Sequence, residues 1–286
     1  MTSPDTAPGR VAVIGDVGGQ LAALRTELVR LGAVPRTFAL PPDLTVVQVG
    51  DLVHRGPDSD GVVALVDHLL TTQPAQWVQL VGNHEAQYLR EPAFHWPERI
   101  GEAAALTLWD LWESGRLHAG VAVRAAGEPW LITHAGVTAG FWTRALDQPD
   151  TPEDAARAMD AQRSGHLDVL FHAGTVLGGG PADFTAGPTW ASAGEELVPS
   201  WLAEPAPAPF HQVHGHSAMT DWKRGRLHAA PEVAAVTTID LARAHETSTV
   251  HGRRIVGVDA RHGKKAHKPW EAFVLHEAVV TSFVPG

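Results

Sequence analysis

The chain has 286 residues, a formal net charge of −10, 44% hydrophobic residues and 19% charged residues. This composition is ordinary for a globular protein with a substantial core. The acidic charge disfavours a protein that holds a nucleic-acid backbone by electrostatics, because that mode needs a basic surface. The chain has no cysteine, which excludes disulfides and thiolate metal sites. Any metal must therefore bind through His, Asp, Glu, Asn or water.

The N-terminal residues 1–9 lack the basic and apolar segments of a signal peptide. They predict a short disordered lead in front of a single domain of residues 10–286. No apolar run approaches the roughly 18 residues needed to cross a bilayer. These features predict a cytoplasmic protein that has no membrane partner, and they leave the oligomeric state open.

The first 90 residues alternate between strand and helix patterns. Short apolar, β-branched runs predict strands at 10–14, 44–49 and 76–81. Leucines at helical spacing predict a helix that starts at Leu21 and stops at Gly32. A second helix is expected after the cap formed by residues 58–59. This order predicts an α/β fold with mostly parallel strands at this end.

The remainder of the chain shows weaker patterns. Helices are predicted at 92–118 and at 151–163, the second capped by Thr151. Loops rich in Gly and Pro are predicted at 178–188 and 199–209. Further strands are predicted at 130–133, 210–213, 233–239, 254–258 and 272–275. We see no internal repeat and no domain break.

Five predicted strands end in a small residue that is followed by a side chain able to bind a metal. These ends are Gly15-Asp16, Gly50-Asp51, Gly82-Asn83-His84, Thr133-His134 and Gly215-His216. Ligands collect at the carboxyl ends of strands in open α/β sheets, and glycine allows a sharp turn beside a bound ion. The set therefore predicts a metal centre. His214 and His216 alternate along one strand, so only one should face the metal, and His216 is expected because it follows the glycine.

Together these motifs resemble the calcineurin-like metallophosphoesterases. They resemble most the branch that contains the Ser/Thr protein phosphatases and the bacterial diadenosine-tetraphosphate hydrolases. GDLVHRGPDS at 50–59 resembles the G-D-x-x-D-R-G segment, and GNHE at 82–85 matches the G-N-H-[ED] motif. THAG at 133–136 and the dipeptide 215–216 resemble the later histidine motifs, and RIVGVD at 254–259 resembles the closing strand. The motifs cover most of the chain.

The resemblance implies an α/β fold, namely a four-layer αββα sandwich of two mixed sheets flanked by helices. It also implies two divalent ions that clamp a phosphate for attack by a metal-activated water. Asp51 would bridge the two ions, and Asp16 would serve the first ion. The second ion would be completed by Asn83, His134 and His216.

The same resemblance implies roles in binding and turning over a phosphoester. His84 would be the general acid that protonates the leaving oxygen. Arg55 would hold phosphate oxygens, for which its forked guanidinium is suited, and Asn83 would contact the substrate as well as the metal.

The first departure from the family pattern lies at Gly18. The family motif is G-D-x-H-G, whereas this chain has GDVGG at 15–19. Gly18 therefore replaces a histidine ligand of the first metal. We expect one tight and one weak divalent site, with a preference for Mn²⁺ or Mg²⁺ because oxygen ligands dominate the weak site, although Fe or Zn²⁺ stays possible.

The second departure is His54, which stands where the family has the aspartate that orients and charges the catalytic histidine. A neutral imidazole can hydrogen-bond to His84, but it cannot stabilise the His84 cation. Two adjacent imidazoles also lower each other's pKa. We count His54 with the catalytic residues and consider two hypotheses for its role. Either it contacts His84 and makes His84 a weaker acid–base group, or it turns towards the first metal and replaces the lost ligand.

Two functions from different classes follow from the sequence. The leading interpretation is a metal-dependent phosphomonoester phosphatase that acts on a phosphoprotein, a nucleotide or another small phosphoester. The alternative is a degenerate family member that binds a phosphorylated ligand or a protein partner with little or no turnover. A nucleic-acid partner is disfavoured by the charge.

Overall fold

The structure is a computed structural model that describes residues 9–91 and 95–282. Residues 1–8 of the predicted N-terminal lead lie outside the described residues, and Gly9 begins the first strand. Residues 92–94 at the start of the predicted helix 92–118 also lie outside them, as do residues 283–286.

Helices occur throughout the described part of the chain. The α-helices are α1 (Leu21–Arg30), α2 (Ser59–Thr72), α3 (Ala86–Leu89), α4 (Glu102–Glu113), α5 (Ala139–Arg144), α6 (Pro152–Gln162), α7 (Leu167–Leu170), α8 (Val198–Leu202) and α9 (Pro231–Ala234). A single 3₁₀ turn spans Val176–Gly178, and a π-helical turn spans Ala193–Leu197. The predicted caps are confirmed, since Asp58 accepts from the backbone N–H of Gly61 and Thr151 accepts from that of Asp154.

Thirteen strands are present in the described residues. They are β1 (Gly9–Ile14), β2 (Leu44–Gln48), β3 (Trp77–Leu80), β4 (Leu117–His118), β5 (Gly120–Ala125), β6 (Glu128–Thr133), β7 (His211–His214), β8 (Thr220–Asp221), β9 (Arg226–Leu227), β10 (Thr237–Asp240), β11 (His245–Val250), β12 (Arg253–Gly257) and β13 (Phe273–Val280).

Eleven of these strands form one mixed sheet. Its order is β10-β11-β12-β7-β6-β5-β13-β1-β2-β3-β4, and β8 pairs separately with β9. The runs β1-β2-β3-β4 and β6-β7-β12 are parallel, while the remaining pairs are antiparallel. The α/β prediction is confirmed. The strands are joined by hydrogen bonds into one sheet rather than two separate sheets, and the four-layer arrangement stays a prediction.

The sheet curls so that the ends of distant strands meet. β6 and β2 are separated by β5, β13 and β1, which would place them about 19 Å apart in a flat sheet. Yet the Nδ1 atom of His134, which follows β6, lies 3.0 Å from the carbonyl oxygen of Val49, which follows β2. Likewise, a Cβ on Gly15 would collide with the carbonyl of Val258. The curl therefore brings the carboxyl ends of two parallel strand groups together.

Side chains alternate between the two faces of the curled sheet. On β1, Val11 and Val13 belong to an all-strand core cluster, whereas Ile14 packs into a cluster with the helices α1, α2 and α4. At the other end of the sheet, Ile255 of β12 packs with Trp201 of α8. The helices thus cover the sheet, and the alternation is the expected period of two.

Several element predictions needed correction. The helix predicted over 92–118 is shorter, since α4 ends at Glu113 and residues 117–118 form β4. The segment 233–239 is not one strand: its first residues belong to α9, and β10 begins at Thr237. The sequence patterns also missed β5 and β11, whose alternation of apolar and small polar residues is weak.

Candidate metal centre

The loop after β2 places Asp51 under tight backbone constraint. Asp51 has a left-handed φ of 54°, and the preceding Gly50 has a φ of 107°. The buried carboxylate of Glu85 accepts hydrogen bonds from the backbone N–H groups of Asp51, Leu52 and Gly82, at 2.8, 2.9 and 2.9 Å. Glu85 therefore fastens the loop after β2 to the loop after β3. Sequence reasoning matched Glu85 to a motif but gave it no role.

Four side chains that the sequence singled out converge below this loop. Ligand atoms of Asp51, His134 and His216 all lie within 4.8 Å of one another. Asn83 joins them, since its Oδ1 atom lies 3.0 Å from His134 Nε2 and 2.9 Å from His216 Nδ1. His214 points elsewhere and contacts the carbonyl of Gly215. The structure thus brings together the residues expected to hold the second ion.

The protonation pattern of this group suits a cation. His134 Nδ1 faces the carbonyl of Val49 at 3.0 Å, and because a carbonyl only accepts, Nδ1 carries the proton. Burial lowers the pKa of His134 to about 3, so the ring is neutral and its Nε2 atom presents a lone pair. That lone pair faces Asn83 Oδ1 and, at 3.4 Å, Asp51 Oδ1. Ligand atoms of Asp51, Asn83 and His134 that converge in this way fit a metal ion that satisfies all of them at once.

Asp16 lies beside this group, and its two carboxylate oxygens differ in their hydrogen bonds. Its Oδ1 atom accepts from the backbone N–H of His216 at 2.8 Å, whereas its buried Oδ2 atom has no hydrogen-bond partner among residues 9–91 and 95–282. Burial, followed by repulsion from Asp259 and Asp51, raises the pKa of Asp16 well above its usual range. A cation next to Oδ2 would relieve both the missing contact and the repulsion, which fits the role predicted for Asp16.

Position 18, where the family pattern has a histidine ligand, lies close to side chains from the C-terminal part of the chain. A Cβ placed on Gly18 would lie 3.9 Å from the Cβ of His262. His262 is buried, and its Nδ1 accepts from the backbone N–H of His267. In the part of the chain that the structure describes, its Nε2 has no hydrogen-bond partner. Sequence reasoning missed His262 and Asp259 as neighbours of the site, because only the curl of the sheet brings residues 259–262 beside residues 16–18.

His84 and Arg55 form the side of the site expected to face the leaving group. His84 Nε2 lies 3.5 Å from Asp51 Oδ2 and 3.4 Å from an Arg55 guanidinium nitrogen. Burial, then Arg55 and His54, lowers the pKa of His84 well below its usual range. Burial is the main cause of the shifted pKa values in this group, and the Arg55 charge adds a smaller contribution at Asp16, Asp51, Asp259, His134 and His216. The guanidinium therefore lies within electrostatic reach of these residues.

His54 contacts His84 rather than the first-metal side. The two Nδ1 atoms are 3.2 Å apart, and His54 Nε2 lies 2.7 Å from the hydroxyl oxygen of Tyr88. The structure therefore favours the first of the two hypotheses for His54. Burial lowers the pKa of His54 to about 4, so it is a neutral imidazole at neutral pH. Tyr88 was not foreseen from the sequence.

The comparison with protein families agrees with this geometry. The profile of the calcineurin-like phosphoesterases matches residues 9–247, which is most of the chain. The chain belongs to the calcineurin-like phosphoesterase family, a metal-dependent family of hydrolases that act on phosphate esters. A comparison with curated protein sequences finds no match.

One solved phosphatase structure shares the fold at low sequence identity, and two further solved structures are weaker matches. A cold-active protein tyrosine phosphatase is 18% identical, with a TM-score of 0.54 over 96% of this chain and 77% of that one. A putative diadenosine tetraphosphatase is 20% identical, with a TM-score of 0.37 over 91% of this chain and 87% of that one. A protein serine/threonine phosphatase from Saccharomyces cerevisiae is 21% identical, with a TM-score of 0.36 over 47% of this chain and only 40% of that one.

In the described part of the chain, no helix combines the length and the apolar character needed to cross a membrane.

Proposed function

We propose that this protein is a metal-dependent phosphomonoester phosphatase that cleaves a phosphoprotein, a nucleotide or another small phosphoester with a metal-activated water. The observation that supports the proposal most strongly is the convergence of ligand atoms from Asp51, Asn83, His134 and His216. A catalytic metal centre requires oxygen and nitrogen ligands that converge on one point. Here such ligands come from four separate loops.

In this proposal the chain's own residues divide the work. Asp51, Asn83, His134 and His216 hold the tighter ion, and Asp16 with Asp51 holds the weaker one. We favour Mn²⁺, with Mg²⁺ next, because carboxylate oxygens dominate the weaker site. Bound ions would supply Lewis-acid polarisation of the phosphate and a more acidic water.

Arg55 and His84 would act on the substrate itself. The Arg55 guanidinium would hold phosphate oxygens with two parallel N–H groups, and Asn83 would offer its amide N–H₂ to the same phosphate. His84 is neutral in the free protein, since its pKa is lowered well below the usual range. A phosphate dianion that arrives beside it adds negative charge, which raises that pKa and allows His84 to donate a proton to the leaving oxygen.

The test is hydrolysis of p-nitrophenyl phosphate as a function of Mn²⁺ concentration, with Asp51→Asn as the paired variant. We expect activity that rises with Mn²⁺ and disappears in the variant, because Asp51 is the shared ligand. The same titration with phosphoserine peptides, nucleotides and dinucleoside polyphosphates would then rank the substrate classes.

The alternative, a degenerate binding protein, predicts a different result. All these substrates would fail to turn over above the Asp51→Asn background, while wild-type protein would still bind inorganic phosphate in a Mn²⁺-dependent manner. Calorimetric titration with phosphate separates that case from a protein that binds neither metal nor phosphate.

A further inference from the structure

The short segment of residues 95–101 is fastened beside Arg55 and His84 by hydrogen bonds. The Glu98 carboxylate accepts from the backbone N–H of Arg55 at 2.9 Å, and the side-chain oxygen of Gln87 accepts from the backbone N–H of Trp96 at 2.7 Å. One of these partners lies in the loop after β2 and the other in α3. The segment therefore has a fixed position next to both groups that are proposed to act on the substrate.

The indole of Trp96 is the side chain that this segment places against those two groups. Its ring centroid lies 4.1 Å from that of His84, at an interplanar angle of 46°, and 5.4 Å from the Cζ atom of the Arg55 guanidinium. The second distance is within the range of about 6 Å at which a cation gains electrostatic energy from an aromatic ring. Trp96 is also partly exposed, so the indole forms a wall at the open side of the site.

The Arg55 guanidinium has few other contacts that could fix its direction. Within the described part of the chain, no carboxylate lies at ion-pairing distance from it, and its polar contact is with His84 Nε2 at 3.4 Å. Holding an arginine side chain in one place costs much rotational freedom. A carboxylate partner would offset that cost by occupying the N–H groups that a phosphate needs. An aromatic ring instead attracts the cation through its π electrons and occupies none of those groups.

We propose that Trp96 is a positioning residue that holds the Arg55 guanidinium in place and leaves its N–H groups free to bind phosphate oxygens. The proposal rests on the phosphate-binding role proposed above for Arg55. Trp96 acts through Arg55 and is assigned no contact of its own with phosphate or metal. The competing explanation is that Trp96 only packs against His84, in which case its loss would act whether or not Arg55 is present.

The first test measures phosphate binding rather than turnover. Full-length protein saturated with Mn²⁺ is titrated calorimetrically with inorganic phosphate, as wild type, Trp96→Leu and Trp96→Phe. Leucine fills space without π electrons, so Trp96→Leu should weaken phosphate binding about fivefold, which corresponds to about 1 kcal/mol. Trp96→Phe keeps an aromatic ring and should bind phosphate more tightly than Trp96→Leu. Unchanged phosphate affinity in Trp96→Leu would overturn the proposal, and so would an equal loss in the two variants, because packing alone would then explain it.

The Mn²⁺ affinity shows whether the whole site is disturbed. Trp96 supports none of the proposed metal ligands through Arg55, so Trp96→Leu should bind Mn²⁺ as the wild type does. A loss of Mn²⁺ affinity that matches the loss of phosphate affinity would count as a structural effect and would contradict the positioning role. Trp109→Leu is the matched control, because this tryptophan is 43% exposed on α4, and it should change neither affinity.

A double-mutant cycle with Arg55→Met separates the positioning of Arg55 from packing against His84. Methionine keeps a flexible, unbranched stem but has no charge and no N–H group. In the Arg55→Met background there is no guanidinium to hold, so adding Trp96→Leu should change phosphate affinity by less than about twofold. A loss as large as in the wild type would show that Trp96 acts independently of Arg55, and the proposal would be wrong.

These measurements separate the role of Trp96 from the proposed phosphatase function. Wild-type protein that binds phosphate with Mn²⁺ but hydrolyses no ester would refute the phosphatase, while a fivefold loss in Trp96→Leu would still support the positioning role. If the protein is active, the KM for p-nitrophenyl phosphate should rise in Trp96→Leu by the same factor as the Kd for phosphate. Wild-type protein that binds no phosphate would refute the phosphate site and the positioning role together.

Discussion

Placing a histidine at Gly18, where the family pattern has one, is the perturbation that bears most directly on the proposed weaker metal site. A Cβ at Gly18 would meet its nearest neighbours at 3.6, 3.9 and 4.0 Å, which are ordinary van der Waals contacts. The backbone there has a φ of +51°, a left-handed conformation that histidine tolerates better than most residues. We therefore expect Gly18→His to fold, with a loss of about 1–2 kcal/mol of stability in the metal-free state.

The gain should appear in metal binding. An added imidazole near Asp16 Oδ2, which has no partner, should tighten the weaker site about tenfold, equivalent to about 1.4 kcal/mol. Gly18→Ala is the matched control, because it carries the same backbone strain without a ligand. Calorimetric titration with Mn²⁺ measures the two affinities, and the half-saturating Mn²⁺ for hydrolysis provides a second readout.

Equal Mn²⁺ affinities for Gly18→His and Gly18→Ala would refute the reasoning. That result would mean that position 18 does not face the ion served by Asp16, or that a nearby side chain such as His262 already fills the ligand position. If Gly18→His and Gly18→Ala lose the same stability and neither binds Mn²⁺ more tightly, only the backbone strain is confirmed.

Three further perturbations probe other parts of the site. Glu85→Gln replaces a carboxylate that accepts three backbone N–H groups by an amide that can oppose one of them, so thermal unfolding should show a loss of about 1–3 kcal/mol and Mn²⁺ should bind more weakly. An unchanged melting temperature would contradict this. Arg55→Lys keeps the charge but removes the fork, so KM for a phosphomonoester should rise several-fold; an unchanged KM would place the phosphate elsewhere. Burial lowers the pKa of His214 to about 4, below the value of about 6.5 in the unfolded chain. The contribution of neutral His214 to the free energy of unfolding is therefore full above pH 6.5 and falls by about 3 kcal/mol as the pH drops to 4. Denaturant unfolding of His214→Gln should therefore show a shallower pH dependence over that window, and an equal slope would refute the assignment.

The sequence contained enough to mark the candidate metal ligands before any coordinates. A run of β-branched residues, a glycine and then a ligand is a local pattern, and it marked Asp16, Asp51, Asn83, His134 and His216 at strand ends. The structure groups these residues as expected because parallel strands present their carboxyl ends at one edge. The strands β5 and β11 were not predicted because their alternation of apolar and polar residues is weak. The short helix α9 was not predicted because its apolar stretch fits the period of a helix and that of a strand equally well.

What surrounds those residues was decided only by the tertiary structure. Nothing in the spacing of His54 and Tyr88, 34 positions apart, indicates that the hydroxyl would reach the imidazole, because that contact depends on how the loop between β2 and α2 packs against α3. The approach of His262 to Gly18 depends in turn on the curl of an eleven-stranded sheet. Local patterns determine which side chains stand at the ends of strands. The long-range curl of the sheet determines which of them meet, and which ring nitrogen carries a proton or presents its lone pair to the candidate metal site.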